Sequence, residues 1–195
     1  EGTVTLCTLG PLTNIGMALN REPKIVKRAK QIVSMGGAYF EVGNITPAAE
    51  FNIFVDPEAA QKVAKSGIDW TVLPLDVTHK ALTTPEWIAD LRALGSPVGD
   101  AVAGWTDFFE RFDVAKYGST GAPLHDPTVI AYLLQPDLFS GKRVNIEIEI
   151  NSPLTRGMTV ADWWGITDRG TNTLFINDVD AKGYFDLLTR CLATF

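Results

Sequence analysis

Short apolar runs alternate with helix-forming segments over the first part of the chain, and this alternation limits the possible folds more than any other sequence feature. The runs TVTLCT (residues 3–8), QIVSM (31–35) and WTVLPL (70–75) consist mainly of β-branched and apolar residues, as buried strands do. Before the third run, Asp56 and Pro57 form a favoured helix start, with Asp as the N-cap and Pro as the first helical residue. We therefore predict an α/β fold with a mostly parallel open sheet and helices on both faces.

Helical patterns dominate after residue 80. A second Asp-Pro pair, Asp126-Pro127, predicts a helix that ends near residue 135, and the strictly alternating VNIEIEI (144–150) predicts a half-exposed strand at a sheet edge. Further helical segments are predicted over 12–19, 25–30, 85–94, 98–112 and 180–192. No repeat, low-complexity stretch or linker interrupts these patterns, so we expect residues 1–195 to form a single domain.

The composition argues against two kinds of partner. The 195 residues carry 17 basic and 23 acidic side chains, a net charge of −6, and no segment concentrates Lys or Arg as a nucleic-acid-binding face requires. No run of about 18 apolar residues is present, so we expect no membrane span. The two cysteines, Cys7 and Cys191, are too few for a disulfide framework and lack metal-ligand spacing, which favours a reducing compartment.

The loop after the second predicted strand carries a candidate ligand site, because ligands of open α/β sheets bind beyond the carboxyl ends of the strands. Glu50 lies among apolar neighbours, and in an extended segment its side chain would share a face with that of Asn52. With Asn44, these residues offer one carboxylate and two carboxamides, which can bind the hydroxyls of a pentose or polyol. The alternative is that Glu50 and Asn52 only bond to the loop backbone.

A second candidate is His125, which directly precedes Asp126-Pro127. The ordinary pKa of histidine suits proton transfer near neutral pH, and Asp126 can bind a hard cation through oxygen. The alternative is a packed histidine beside an ordinary helix cap, since Asp56-Pro57 shows that this chain uses the pair in that way.

Other polar and aromatic groups favour structural roles. Asp76 and Thr78 could orient His79, but we expect this group to be structural, because short polar side chains can bond to the backbone at a junction between strand and helix. Paired carboxylates at 147 and 149 suggest glycoside chemistry, but a solvated strand face is the simpler interpretation, and Trp163-Trp164 are expected to be packing anchors.

Five segments carry a family resemblance: LGPLTNIGMAL, MGGAYFEVGNITPAAEFNIFVDPEAA, PLDVTHKAL, PLHDP and LTRGMTV. Their order and spacing resemble those of the inosine-uridine preferring nucleoside hydrolase family over essentially the whole chain. The resemblance implies a nucleoside hydrolase-like, Rossmann-like fold. It also implies Ca²⁺-dependent hydrolysis of the N-glycosidic bond of ribonucleosides, in purine and pyrimidine salvage, by a cytoplasmic homodimer or homotetramer.

The resemblance also assigns roles by position. Asn44 and Glu50 match contacts to the ribose 5′-hydroxyl, Asn52 matches a contact to the lower hydroxyls, and Met35 matches a residue that packs against the ribose. Three further residues match positions that act in catalysis or metal binding. His125 matches the acid that protonates the leaving base. Asp126 matches a carboxylate that binds Ca²⁺, and Leu9 matches a residue whose main-chain carbonyl binds Ca²⁺. A histidine at position 125 resembles the broad or inosine-uridine subgroup.

One departure from the family pattern concerns an N-terminal Asp-rich motif of the form DxDxGxDD, which supplies most metal ligands and the base that activates water. This motif does not occur in the sequence. We therefore expect the chain to be the C-terminal portion of a hydrolase that lacks its N-terminal strands and binds Ca²⁺ poorly. The alternatives to a hydrolase are a pentose-binding module and an inactive fragment.

Overall fold

The computed structural model describes residues 2–118 and 121–195, without the side chains of residues 110–117. The chain divides into two compact units, which are described separately. The first unit comprises Glu1–Val77 and Ser140–Asp178, and the second comprises Thr78–Phe139 and Val179–Phe195. The single domain over residues 1–195 stays a prediction.

The strands of the described residues are, in chain order, β1 (Val4–Thr8), β2 (Ala29–Met35), β3 (Trp70–Leu73), β4 (Phe139–Val144), β5 (Ile146–Ile148), β6 (Thr159–Ala161) and β7 (Thr173–Val179). The α-helices are α1 (Thr13–Arg21), α2 (Phe51–Val55), α3 (Pro57–Ala64), α4 (Leu75–Thr78), α5 (Pro85–Ala93), α6 (Pro97–Tyr117), α7 (Pro127–Leu134) and α8 (Ala181–Leu192). Short 3-10 helices cover Pro23–Lys27 and Pro136–Leu138.

The main sheet has the strand order β1-β2-β3-β7-β4. The pairs β1–β2, β2–β3 and β3–β7 are parallel, with Cys7 opposite Val33 and Ser34 opposite Val72. The predicted α/β class with a mostly parallel sheet is therefore confirmed. Because β1, β2 and β3 run in one direction, the loops that follow them leave the same edge of the sheet.

The core of the first unit packs α1 and α3 against the sheet. The largest fully buried side chains there include Trp70, Phe175 and Ile32. Helices α1 and α3 come close at Gly16, where an added Cβ would meet the Ala59 Cβ at 2.8 Å. A side chain at position 16 would therefore push the two helices apart.

The second unit has its own apolar cluster, formed by Trp87, Ile88 and Leu91 of α5 together with Ala103 of α6. Residues of α8 pack against this cluster, and the Trp87 indole N–H donates to the Thr189 hydroxyl at 2.9 Å. This bond satisfies the one polar group of a ring that is otherwise buried.

Several predicted element bounds were wrong, each for a local reason. Strand β3 ends at Leu73 because Pro74 cannot continue the ladder, and the predicted helical segment 25–30 is a 3-10 helix followed by β2. The predicted strand 144–150 is interrupted at Asn145, whose amide donates to the Gly170 carbonyl at 2.8 Å. Its second part, β5, pairs antiparallel with β6 in a separate sheet.

In the described part of the chain, no helix combines the length and the apolar character that crossing a bilayer requires.

Candidate active site

In the first unit, the loops after β2 and β3 are tied together at the carboxyl edge of the sheet. The Leu75 N–H donates to the Gly37 carbonyl at 2.9 Å. The buried Asp76 carboxylate accepts the backbone N–H groups of Tyr39 and Phe40 at 3.0 and 2.6 Å. Asp76 therefore bonds to backbone, as expected for a junction residue, and it fixes the start of the loop that contains the candidate ribose-binding residues.

Glu50 is the N-cap of α2, and the predicted extended conformation of this segment was wrong. Its carboxylate accepts the N–H groups of Asn52 at 2.9 Å, Ile53 at 3.2 Å and Gly37 at 2.9 Å. The bonds from Asn52 and Ile53 are those of a helix N-cap and favour a helical turn over an extended strand, and Glu50 is 2% exposed. As a result Asn52 and Ile53 are both buried, whereas Phe51 is exposed.

Met35, Asn44 and Asn52 lie around this cap. The Asn52 amide donates to the Met35 carbonyl at 3.1 Å and lies 3.4 Å from the Met35 sulfur. The Asn44 side-chain oxygen accepts the N–H of Phe51 at 2.9 Å. The structure thus brings Met35, Asn44, Glu50 and Asn52 into one connected group. Asn44, Glu50 and Asn52 also bond to backbone groups, as the alternative structural interpretation predicts for Glu50 and Asn52.

Gly37 is required where this group meets the sheet. Its φ is +85°, in the left-handed region that side chains disfavour, and an added Cβ would lie 2.8 Å from the Thr159 hydroxyl oxygen. Leu9, the candidate carbonyl ligand, directly follows β1 at the same edge of the sheet, and its side chain is exposed.

In the second unit, His125 has a defined partner. Its Nδ1 lies 2.7 Å from the hydroxyl oxygen of Thr78, a residue that is 0% exposed, and its ring centroid lies 5.9 Å from that of His79. Burial, and secondarily the neighbouring His79, lower the pKa of His125 to about 4. His125 is therefore a neutral imidazole at pH 7, with one ring nitrogen as donor and the other as acceptor.

The backbone around His125 is held by three further groups. Tyr184 donates its hydroxyl to the Leu124 carbonyl at 3.0 Å, and the Leu124 N–H donates to the Ala81 carbonyl at 3.0 Å. The Thr128 hydroxyl donates to the His125 carbonyl. Burial raises the pKa of Tyr184, so this phenol keeps its proton and its donor role.

Asp126 does not cap α7, contrary to the structural alternative that we considered for it. Asp56 accepts the Ala59 N–H at 3.0 Å, whereas Asp126 makes no side-chain bond to the start of α7. Its own φ and ψ of −64° and −39° are helical, which differs from the conformation of an N-cap. Asp126 is exposed, although the protein around its carboxyl group removes enough water to raise its pKa.

The described residues do not fit a complete Ca²⁺ site. They contain no group of three or more His, Cys, Asp or Glu side chains that could hold a metal ion. Ca²⁺ takes six to eight oxygen ligands, and within the second unit Asp126 is the one candidate carboxylate that we identify. Asp126 can therefore supply only part of such a site.

The sequence does not identify Thr128 and Tyr184 as residues that hold the backbone around His125. It suggests Thr78 as a partner of His79, whereas Thr78 contacts His125. Thr78 and His125 are 47 positions apart, so only the fold brings them together. Of the other expectations, Trp163 packs edge-to-face on Phe175 at 6.0 Å, as predicted for an anchor, but Trp164 is 77% exposed and anchors no core.

The carboxylates at 147 and 149 both make structural bonds. Glu147 forms an ion pair with Lys65 at 3.1 Å and a hydrogen bond with Gln61, and Glu149 accepts the N–H groups of Asn151 and Ser152. They therefore resemble surface and turn groups more than a glycosidase pair.

Comparison with known proteins identifies the family. Residues 1–186 match the sequence model of the inosine-uridine preferring nucleoside hydrolases. The chain belongs to this family. An uncharacterized protein of Schizosaccharomyces pombe is 51% identical over 191 residues, which are 98% of this chain and 62% of the yeast protein. The pyrimidine-specific ribonucleoside hydrolase RihA of Shewanella woodyi is 48% identical over 196 residues, covering 100% of this chain and 62% of RihA.

Solved structures agree with this family assignment. A purine-preferring ribonucleoside hydrolase from Gardnerella vaginalis superposes with a TM-score of 0.89 at 30% identity, over 97% of this chain and 60% of that one. A plant nucleoside hydrolase superposes with a TM-score of 0.90 at 29% identity, over 100% of this chain and 63% of the plant chain. The chain thus spans less than two thirds of the length of these relatives.

Proposed function

We propose that the protein containing this chain hydrolyses the N-glycosidic bond of ribonucleosides and releases ribose and a free base. The observation that carries the proposal is the family match over residues 1–186, together with 48% identity to a ribonucleoside hydrolase. The name of that relative makes uridine and cytidine the first substrates to test, with inosine as the purine comparison.

In this proposal, the group around Glu50 holds the ribose. Asn44 and Glu50 bind the 5′-hydroxyl, Asn52 binds the lower hydroxyls, and Met35 packs against the sugar. What supports these roles is that the four side chains form one connected group in the first unit. Their bonds to one another and to the loop preorganise the amide and carboxylate oxygens, which lowers the ordering cost when a sugar binds.

His125 is the group that donates a proton or hydrogen bond to the leaving base. Glycoside cleavage passes through an oxocarbenium-like transition state in which the leaving group gains negative charge. General-acid assistance to such a group contributes about 10²–10⁴-fold in rate. With a pKa of about 4, His125 is neutral at neutral pH, and its one ring N–H can donate a hydrogen bond to the leaving base. Full proton transfer requires the ring to gain a proton in the substrate complex.

Asp126 and the Leu9 carbonyl are proposed as two ligands of a Ca²⁺ ion. The remaining ligands of this ion come from groups outside the described residues. The unused, partly desolvated Asp126 carboxylate supports this role, because no helix cap competes for its oxygens. The ion would position and activate the attacking water. A cytoplasmic location, a role in nucleoside salvage and a homodimeric or homotetrameric state are proposed from the family alone.

The experiment is His125→Ala in the whole protein, assayed on uridine, inosine and p-nitrophenyl riboside. The nitrophenyl group leaves without protonation, so its release needs no acid. We expect turnover of the two nucleosides to fall by about 10²-fold or more, with a much smaller loss on the nitrophenyl substrate. Equal losses on all three substrates would contradict the acid role, and ribose binding without turnover by the wild type would favour a pentose-binding module.

A further inference from the structure

We propose that Thr78 is a positioning residue for His125. Its buried hydroxyl donates to Nδ1, fixes the orientation of the imidazole ring and keeps the single hydrogen of the neutral ring on Nε2. The inference rests on the proposed role of His125 as the group that assists the leaving base.

The geometry for this role is a short bond between two confined groups. Thr78 is the last residue of α4 and is 0% exposed, and its Oγ1 lies 2.7 Å from Nδ1 of His125. Only one hydrogen lies between these two atoms. If the hydroxyl supplies it, Nδ1 is the acceptor nitrogen and the ring hydrogen is on Nε2.

Separate groups hold the backbone and the ring of His125. The ring lies beside that of His79, with the two centroids 5.9 Å apart, and its Nδ1 forms a hydrogen bond with the Thr78 hydroxyl. Tyr184 and Ala81 hold Leu124, and Thr128 holds the His125 carbonyl. With the backbone anchored on both sides, the remaining freedom of His125 lies in its two side-chain torsions. The Thr78 bond restricts both torsions, because Nδ1 can meet the hydroxyl in only one ring orientation.

A purely structural role for Thr78 is the competing explanation, since a buried hydroxyl needs a partner whatever its function. The two explanations differ in what they predict for different leaving groups. A structural defect would reduce all activities together. Loss of ring orientation would affect only substrates whose leaving group needs the His125 hydrogen.

The test uses the whole protein with Thr78→Val, which keeps the branched shape without the hydroxyl, and Thr78→Ser, which keeps the hydroxyl. Thr106→Val is the matched control, because Thr106 is also buried in the second unit and its hydroxyl donates to the Val102 carbonyl of its own helix. Each variant is assayed for kcat and KM on uridine and on p-nitrophenyl riboside. If Thr78→Val yields no folded protein, Thr78→Ala removes the same hydroxyl without adding a group.

We expect Thr78→Val to lower kcat on uridine by about tenfold or more, to change KM little, and to lower nitrophenyl turnover far less. Thr78→Ser should restore most of the uridine activity, and Thr106→Val should leave the ratio of the two activities at the wild-type value. Nitrogen-15 NMR of the histidine rings should show Nδ1 of His125 as the unprotonated nitrogen in wild type and a mixture of tautomers in Thr78→Val.

Equal losses on both substrates, no loss on uridine, or a wild-type proton on Nδ1 would each overturn the assignment. His125→Ala in the same assays separates this inference from the proposed function. If His125→Ala is selective for uridine but Thr78→Val is not, the acid role stands and the positioning role fails. If His125→Ala is itself unselective, the proposed acid role fails.

Discussion

At the scale of single residues, burial decides how a carboxylate responds to similar sets of hydrogen bonds. Asp76 accepts backbone N–H bonds from residues 39–41, yet its burial outweighs them and raises its pKa. Asp162 accepts the N–H groups of Ile166 and Thr167 and the Thr167 hydroxyl, and because water still reaches it, these bonds lower its pKa to about 2. The solvation of the ion, more than the number of donors, sets the direction of each shift.

The shift at Asp162 gives a prediction for acid pH. Its folded-state pKa of about 2 is below the ordinary value of 3.8, so ionised Asp162 stabilises its turn above about pH 4. This contribution is lost as the pH falls towards about 2. A carboxyl chemical-shift titration by NMR should therefore show a midpoint near pH 2 for Asp162.

Thr167→Val is the matched variant, because the Thr167 side chain is the largest cause of the shift. We expect it to move the Asp162 midpoint towards 3.8 while leaving the backbone N–H bonds in place. A midpoint near 4 in the wild type, or no change in the variant, would show that the turn does not hold the carboxylate in this way.

At the scale of elements, the two Asp-Pro pairs show that identical sequence signals can have different structural roles. Asp56 bonds to the Ala59 N–H at the start of α3, and Asp126 makes no such bond at the start of α7. We expect Asp56→Ala to lower the free energy of unfolding by about 1 kcal/mol, the usual value of an N-cap. Asp126→Ala should change it by less than about 0.5 kcal/mol, as exposed positions without such bonds do.

Urea denaturation of both variants measures this difference, and Asp56→Asn is the control, because Asn caps a helix about as well as Asp. The interpretation requires Asp56→Asn to be close to wild type. Equal destabilisation by Asp56→Ala and Asp126→Ala would show that Asp126 does cap α7 in solution, and its carboxylate would then be less available to a metal ion.

Elements with short-range signals could be predicted from the sequence, and those defined by distant contacts could not. The strands β1, β2 and β3 follow from apolar runs, and α3 follows from its cap. The break at Asn145 depends on a bond to Gly170, and β7, whose apolar run is interrupted by Asn177 and Asp178, was not predicted.

The candidate site divides in the same way between local and distant signals. Motifs located His125, Glu50 and Asn52, but the contact between Glu50 and Gly37 and the contact between Thr78 and His125 depend on the tertiary fold. Residue types and spacing thus identified the candidate groups but not their partners.

At the scale of the whole molecule, the candidate residues are divided between the two units. The group around Glu50 belongs to the first unit, and His125 and Asp126 belong to the second. The chain covers 62% of RihA of Shewanella woodyi, so the proposed activity is that of the whole protein. The affinity of the described residues for Ca²⁺ can nevertheless be measured directly.

Residues 1–195 alone should bind Ca²⁺ weakly. Even the weaker protein sites for this ion, with dissociation constants of about 10⁻⁴–10⁻³ M, are built from several carboxylate and carbonyl oxygens. The described residues contain no cluster of three or more acidic, histidine or cysteine side chains that could hold the ion. We therefore expect calorimetric titration of residues 1–195 to give no saturable binding below about 1 mM Ca²⁺.

Asp126→Asn, titrated in parallel, determines whether any heat arises at the proposed ligand. If Asp126 is one ligand among several supplied elsewhere in the whole protein, the variant and the wild-type chain should behave alike, because a single exposed carboxylate binds Ca²⁺ too weakly to detect. Saturable binding at micromolar Ca²⁺ that Asp126→Asn abolishes would show instead that these residues build the site themselves. In the whole protein, the same substitution should weaken Ca²⁺ binding, because the proposal makes Asp126 one of several ligands there.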